Sequence, residues 1–158
     1  MSEQNVKEVK NERETVQFSS LEELLSTDID TTRDQVTVTL RGGNEITLPI
    51  VSVDPDVEAA IRKKCTKYLK DKAQRFPVID DLKYNCLMID AATDTTRTTI
   101  RWNDKKLADK VGAMIATPIE VIPKVLSLGG IVKAIERISE ISGLNQNFDE
   151  MVEEVKNS

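Results

Sequence analysis

Histidine is missing from all 158 residues. Its absence removes the commonest general base, the commonest metal ligand and every nucleophile pair of the Ser-His or Cys-His kind. Aromatic side chains are scarce, at one Trp, two Tyr and three Phe. The core must therefore be aliphatic, and stacking of bases on aromatic platforms has few candidates. There are two cysteines, Cys65 and Cys86, 21 positions apart with no Cys-x-x-Cys spacing. Both fall in apolar surroundings and read as buried, reduced thiols, with no ligand set for zinc. No apolar run approaches the ~18–20 residues needed to span a bilayer, and the first residues are acidic and polar, unlike a secretory leader. An intracellular, cytoplasmic protein without a membrane partner is expected.

What is present suits one soluble domain. A chain of this length buries roughly 68–70% of its unfolded surface, and 39% hydrophobic with 31% charged residues is ordinary for a globular fold. The net charge of −5 is uneven. Residues 1–35 carry nine acids and four bases, residues 144–158 four acids and one base, and the stretch between them 17 bases against 14 acids. Acidic ends on a mildly basic body favour solubility over nucleic-acid affinity.

Along the chain, residues 1–14 have almost no hydrophobe and predict a disordered start, with the segment 1–19 outside the domain. Ser20-Leu21-Glu22-Glu23 is a capping box before a short leucine helix. Val36-Thr37-Val38-Thr39-Leu40 alternates with period two, Gly42-Gly43-Asn44 supplies a turn, and 45–53 returns as a second strand, placing Val36, Val38 and Leu40 on one face. Pro49 marks that second strand as an edge or a break. Asp54-Pro55 opens a helix whose stripe is Val57, Ile61, Cys65, Tyr68 and Leu69, running to 73–76 ahead of Pro77. Asp80-Asp81 opens another, with Leu82, Cys86 and Ile89 spaced for burial. A threonine-rich loop at 93–99 precedes Trp102, read as the anchor of that loop, and Asn103 or Asp104 caps a small helix ended by Gly112. Thr117-Pro118-Ile119-Glu120 is a second capping box, and Pro123 then bends the helix or confines regular bonding to the part after it. Ile131, Ile135 and Ile138 form the last stripe before Gly143. The fold class is α+β, mainly helical, with one N-terminal β-hairpin or small antiparallel sheet. Residues 20–143 form the domain, the helical pair 117–143 is semi-independent, and 144–158 is an acidic tail.

Few motifs suggest chemistry. The acid pairs Asp54/Asp56 and Asp80-Asp81 sit at helix starts, where the macrodipole favours negative charge. No apolar pocket that would raise a carboxyl pKa is apparent, so no catalytic residue, cofactor site or metal site is assigned. Gly42-Gly43 lacks the following Lys-Ser/Thr of a phosphate loop. The basic run 62–72 reads first as a solvated helix face and second as a phosphate-binding one. The candidate site is instead the oily segment Val121, Ile122, Val125, Leu126, Leu128 and Ile131. Its hydrophobes fall on several helical faces, so it is either central to the core or a grip for a second polypeptide.

Several stretches, taken in order, carry a resemblance. They are Leu21-Glu22-Glu23-Leu24-Leu25, Ile50-Val51-Ser52-Val53, Ile61-Arg62-Lys63-Lys64-Cys65 and Asn85-Cys86-Leu87-Met88-Ile89-Asp90-Ala91. Ala116-Thr117-Pro118-Ile119-Glu120, Leu126-Ser127-Leu128-Gly129-Gly130-Ile131, Ile141-Ser142-Gly143-Leu144 and Val152-Glu153-Glu154-Val155-Lys156-Asn157 follow. Their order and spacing resemble the XkdN-type tail assembly chaperones of PBSX-like Bacillus prophages and related phages. The family's frequent Gly-Glu is Gly129-Gly130 here, which removes that acid and loosens the junction; its Gly-Phe step is Gly143-Leu144.

The resemblance implies a non-enzymatic protein of the bacterial cytoplasm. Its partner would be the tail tape-measure protein, kept soluble until tail-tube protein replaces the chaperone; a longer frameshifted product often accompanies such proteins. Helix-in-groove contacts would serve that role. The alternatives are a component retained in the mature tail and a nucleic-acid-binding regulator using 62–75. Whether the chain is a homo-oligomer is left open.

Overall fold

The computed structural model describes residues 16–29 and 31–144. The expected disordered start at 1–14 lies outside the described residues, as does the acidic tail beyond Leu144. The contacts separate into two units, 1–30 and 31–158. In the first, helix α1 (Leu21–Ser26) starts as its capping box predicts: the Ser20 side chain accepts from the Glu23 N–H at 3.1 Å. None of its residues is buried.

The second unit begins with strands β1 (Arg33–Thr39) and β2 (Glu45–Val51), paired antiparallel with Val36 opposite Leu48 and Val38 opposite Ile46. The alternation makes one face apolar, and Val36, Val38, Leu48 and Ile50 are all buried. Pro49 stays within the strand. Its carbonyl points to the outer edge, where it accepts from the Asp94 N–H at 2.9 Å, so its missing N–H takes nothing from the ladder.

Helix α2 (Pro55–Cys65) begins at Asp54-Pro55 as expected, although the Asp54 side chain makes no cap bond. It then stops at Cys65, well short of the predicted 73–76. Strands β3 (Thr66–Asp71) and β4 (Gln74–Ile79) follow as a second hairpin, which the sequence reading had merged into the helix. Helices α3 (Asp81–Ala92), α4 (Lys105–Val111), α5 (Pro118–Val125) and α6 (Leu128–Ser142) complete the unit. The architecture is α+β and mostly helical, with two small antiparallel sheets among the described residues.

Local signals account for most helix boundaries. Asp80, Asp104 and Thr117 accept from the N–H three residues on, and Gly112 and Gly143 end α4 and α6 in the left-handed conformation. Pro123 lies near the end of α5, so the regular part of the helix precedes it instead of following it. Helix α6 lies on β1, and α3 packs against α2, α5 and α6. Cys86, Met88 and Ile89 of α3 are buried with Leu48, Ile50, Val121, Ile122, Leu126 and Ile138 in one core. Leu82, expected inside, is exposed. Cys65 and Cys86 are free, buried thiols, and burial pushes Cys86 up to about 11.

The loop after α3 is clipped to the outer edge of β2. The buried Trp102 donates its indole N–H to Thr93 Oγ1 at 2.9 Å, as an anchor should. Asp94 accepts from the Thr96 hydroxyl and from Arg97 Nε, both at 2.6 Å, while Arg97 reaches the Ile50 carbonyl at 3.1 Å. The bonds from Thr96 and then Arg97 hold the Asp94 carboxyl down at about 2. A depressed folded-state pKa contributes stability above the unfolded value of about 3.9, and that contribution is lost as pH falls through the folded value. Acid titration between about pH 4 and 2 is therefore expected to free this loop, read by the fluorescence of the single tryptophan. Asp94→Asn removes that acid step and leaves the loop loosened at neutral pH.

Candidate partner-binding surfaces

The six residues expected to grip a partner lie in α5, the α5–α6 junction and the first turn of α6. Val121 and Ile122 are fully buried, Leu126 and Ile131 nearly so, and Val125 half-buried. Leu128 alone faces outward, 74% exposed. The cause is a backbone seam. The Arg41 N–H donates to the Val125 carbonyl at 3.0 Å, Leu40 and Leu126 form an antiparallel bridge, and the Ser127 N–H donates to the Thr39 carbonyl at 3.0 Å. The junction is thus paired antiparallel to the end of β1, and the flanking side chains are driven into the core. A segment apolar on several faces had two possible explanations, and the first applies: it is central.

Ser127 has two tasks. Its hydroxyl donates to the Thr39 carbonyl at 2.9 Å and accepts from the Gly130 N–H at 3.0 Å, capping α6. Gly130 does not loosen this junction. A Cβ there would sit 2.5 Å from the Thr39 carbonyl oxygen, so only glycine lets the helix approach the strand end this closely.

Among the described residues an apolar surface that is open lies on the second hairpin. In the β3–β4 hairpin Tyr68 is 66% exposed, Leu69 48%, Phe76 42% and Val78 40%. Its principal packing is strand on strand. The Asp80 N–H donates to the Cys65 carbonyl at 2.9 Å, and Lys67 Nζ lies 3.4 Å from Asp80, closing the root. Cross-strand partners share a face. One face carries Tyr68 opposite Pro77 and Lys70 opposite Arg75; the other carries Lys67 opposite Val78 and Leu69 opposite Phe76. The basic run expected on a helix is thus divided between α2 and a ribbon in which aromatic and cationic side chains alternate.

The sequence hid this ribbon because its turn has no glycine or asparagine. Lys72 and Ala73 occupy the turn with φ of 49° and 70°. A two-residue hairpin turn that matches strand twist needs positive φ at both central positions. The remaining signal was β-branched and aromatic: Thr66, Tyr68, Phe76, Val78 and Ile79 around a central non-hydrophobic stretch.

One polar cluster also escaped the sequence reading. Glu58 Oε1 accepts from Arg62 Nη2 at 2.6 Å and from the Tyr84 hydroxyl at 2.8 Å, and the guanidinium lies 5.5 Å from the Tyr84 ring centre. Burial, and then the bond to Glu58, pushes Tyr84 up to about 12. With its carboxylate tied to both partners, this cluster joins α2 to α3. Among the described residues no group of three or more His, Cys, Asp or Glu could hold a metal ion, and no helix is long and apolar enough to cross a membrane.

Residues 21–156 match the family model of the phage XkdN-like tail assembly chaperone protein. The chain belongs to that family. Neither the curated proteins nor the solved structures compared with it give a match. The resemblance noted in the sequence is matched at the level of the family.

Two measurements check this geometry. Gly130→Ala should lower stability by about 1–3 kcal/mol in urea unfolding, whereas Gly129→Ala, whose Cβ meets open space, should be neutral or stabilising. Ala73→Gly relieves a left-handed alanine, and should raise the protection of the hairpin amides in hydrogen exchange by an amount equivalent to about 1 kcal/mol.

Proposed function

We propose that this chaperone holds the tail tape-measure protein in the host cytoplasm. It keeps the apolar segments of that protein soluble until tail-tube subunits replace it, and it makes or breaks no covalent bond. The observation that carries the reading is the β3–β4 hairpin, with two of the chain's six aromatic residues exposed on a ribbon that has little packing of its own. Leu128 and Val132 add a smaller exposed apolar strip on α6.

Magnitudes suit a holder that must let go. Fully burying a large apolar side chain contributes about 1.5–3 kcal/mol. Four that are about half exposed therefore offer on the order of 4 kcal/mol in all. That barely meets the entropic cost of association. Lasting retention then needs several such contacts in parallel, which a long tape chain would supply. Lys67 and Lys70 on β3 and Arg75 on β4 discourage indiscriminate pairing at the hairpin's edges.

A second reading, nucleic-acid binding, draws on the aromatic and cationic residues of the same ribbon, against a chain whose net charge is −5. Binding to DNA that falls steeply with salt would favour it.

The deciding experiment is co-expression with tape-measure fragments. The wild-type chain should raise their soluble yield and co-purify with them. Leu69→Asp with Phe76→Asp should lose most of that effect while the thermal midpoint of the chaperone stays put, because neither side chain belongs to the core. No rise in tape-measure solubility with the wild-type chain would overturn the proposal. Detecting the chain in purified phage particles by mass spectrometry would point instead to a component retained in the tail.

A further inference from the structure

The β3–β4 hairpin has a mismatch that its own strands do not resolve. Lys70 and Arg75 face each other directly across the ladder, and like charges so placed are destabilising. Beside them on the same face lie Tyr68 and Pro77. An apolar patch continued by two opposed cations calls for an occupant with an apolar stripe bordered by acids. Across 66–79 the sequence has four bases, Lys67, Lys70, Lys72 and Arg75, and one acid, Asp71.

The complementary pattern occurs in the chain itself. Residues 145–158 follow Leu144 and contain Asp149, Glu150, Glu153 and Glu154 against one base, Lys156. Net charges of +3 and −3 follow from those counts. Phe148, Met151, Val152 and Val155 recur at the i, i+3, i+4, i+7 spacing of one helical face.

Reach is sufficient. Ser142 Oγ accepts from the Val53 N–H at 2.9 Å, which holds the end of α6 beside the start of α2. The hairpin is rooted at the other end of α2, whose 11 residues rise about 16 Å. Fourteen residues span about 21 Å as a helix and up to about 46 Å extended. Tethering at this range gives an effective concentration on the order of millimolar for a short flexible link.

We propose that residues 145–158 dock on the β3–β4 hairpin of the same chain. The apolar stripe from Phe148 to Val155 covers Tyr68 and Pro77, and the flanking acids meet Lys70 and Arg75. This inference goes beyond the tape-measure reading and does not require it, since it concerns the chain alone.

The test uses the full chain with Phe148 replaced by the photo-crosslinking analogue p-benzoylphenylalanine, as an equimolar mixture of ¹⁵N-labelled and unlabelled protein. Irradiation should give adducts within 66–79 that join peptides of one isotopic type. Lys70→Glu with Arg75→Glu should cut their yield on the order of fivefold, and adding Glu150→Lys with Glu153→Lys should restore it. Restoration separates lost charge pairing from an unfolded hairpin. Adducts outside 66–79, adducts of mixed isotope (a second copy as the occupant), no adduct, or a yield indifferent to charge reversal would each overturn the proposal.

Discussion

The structure turns on the seam where the α5–α6 junction pairs antiparallel beside the end of strand β1. Two backbone bonds make it: the Arg41 and Ser127 amides donate to carbonyls across the gap, which sets Leu40 opposite Leu126. Ser127 then caps α6 while holding the strand end, and Gly130 leaves room for that strand's carbonyl. Once the backbone is fixed there, Val121, Ile122, Leu126 and Ile131 have nowhere to go but inward. The most hydrophobic segment of the chain thereby becomes the closure of its core, tying the last two helices to the first sheet and to α3.

That closure decides what remains for a partner. With the most apolar helix committed to the core, the apolar side chains left exposed among the described residues of the second unit include those of the β3–β4 ribbon. Its side chains are few and half exposed, so each contact is weak. The buried core and the exposed hairpin are consequently separate. Core residues hold the frame, the hairpin stands away from it, and changes in one need not disturb the other. The Asp94 clamp and the Glu58–Arg62–Tyr84 joint belong to the frame: one holds the loop after α3 and the other joins α2 to α3.

How much of this the sequence discloses depends on where the information is local. Caps at Ser20, Asp80, Asp104 and Thr117, stops at Gly112 and Gly143, and the period-two run at 36–40 are short-range signals, and each is found where it was read. Burial of the 121–131 cluster is not local. Its spacing fitted both a central helix and a docking one, and the deciding bonds come from residues 39–41, some 85 positions away. The second hairpin failed for a different reason. Its turn lacks glycine, and lysines recurring through 63–72 mimic a solvated helix, so tertiary pairing overrode a plausible local pattern. Membership of the chaperone family rested on order and spacing over the whole chain, which survived these local errors.

Cys65 gives the junction of frame and arm an unplanned property. It is the last residue of α2, 1% exposed, and its carbonyl takes the bond that closes the hairpin root. Cys65 and Cys86 are sealed to 1% and 0% and belong to the same buried core, so neither thiol meets solvent while that core is closed. Alkylation of either sulfur therefore counts openings of the frame itself, and a thiol at the hairpin root is a tether that stays chemically silent while the frame is shut.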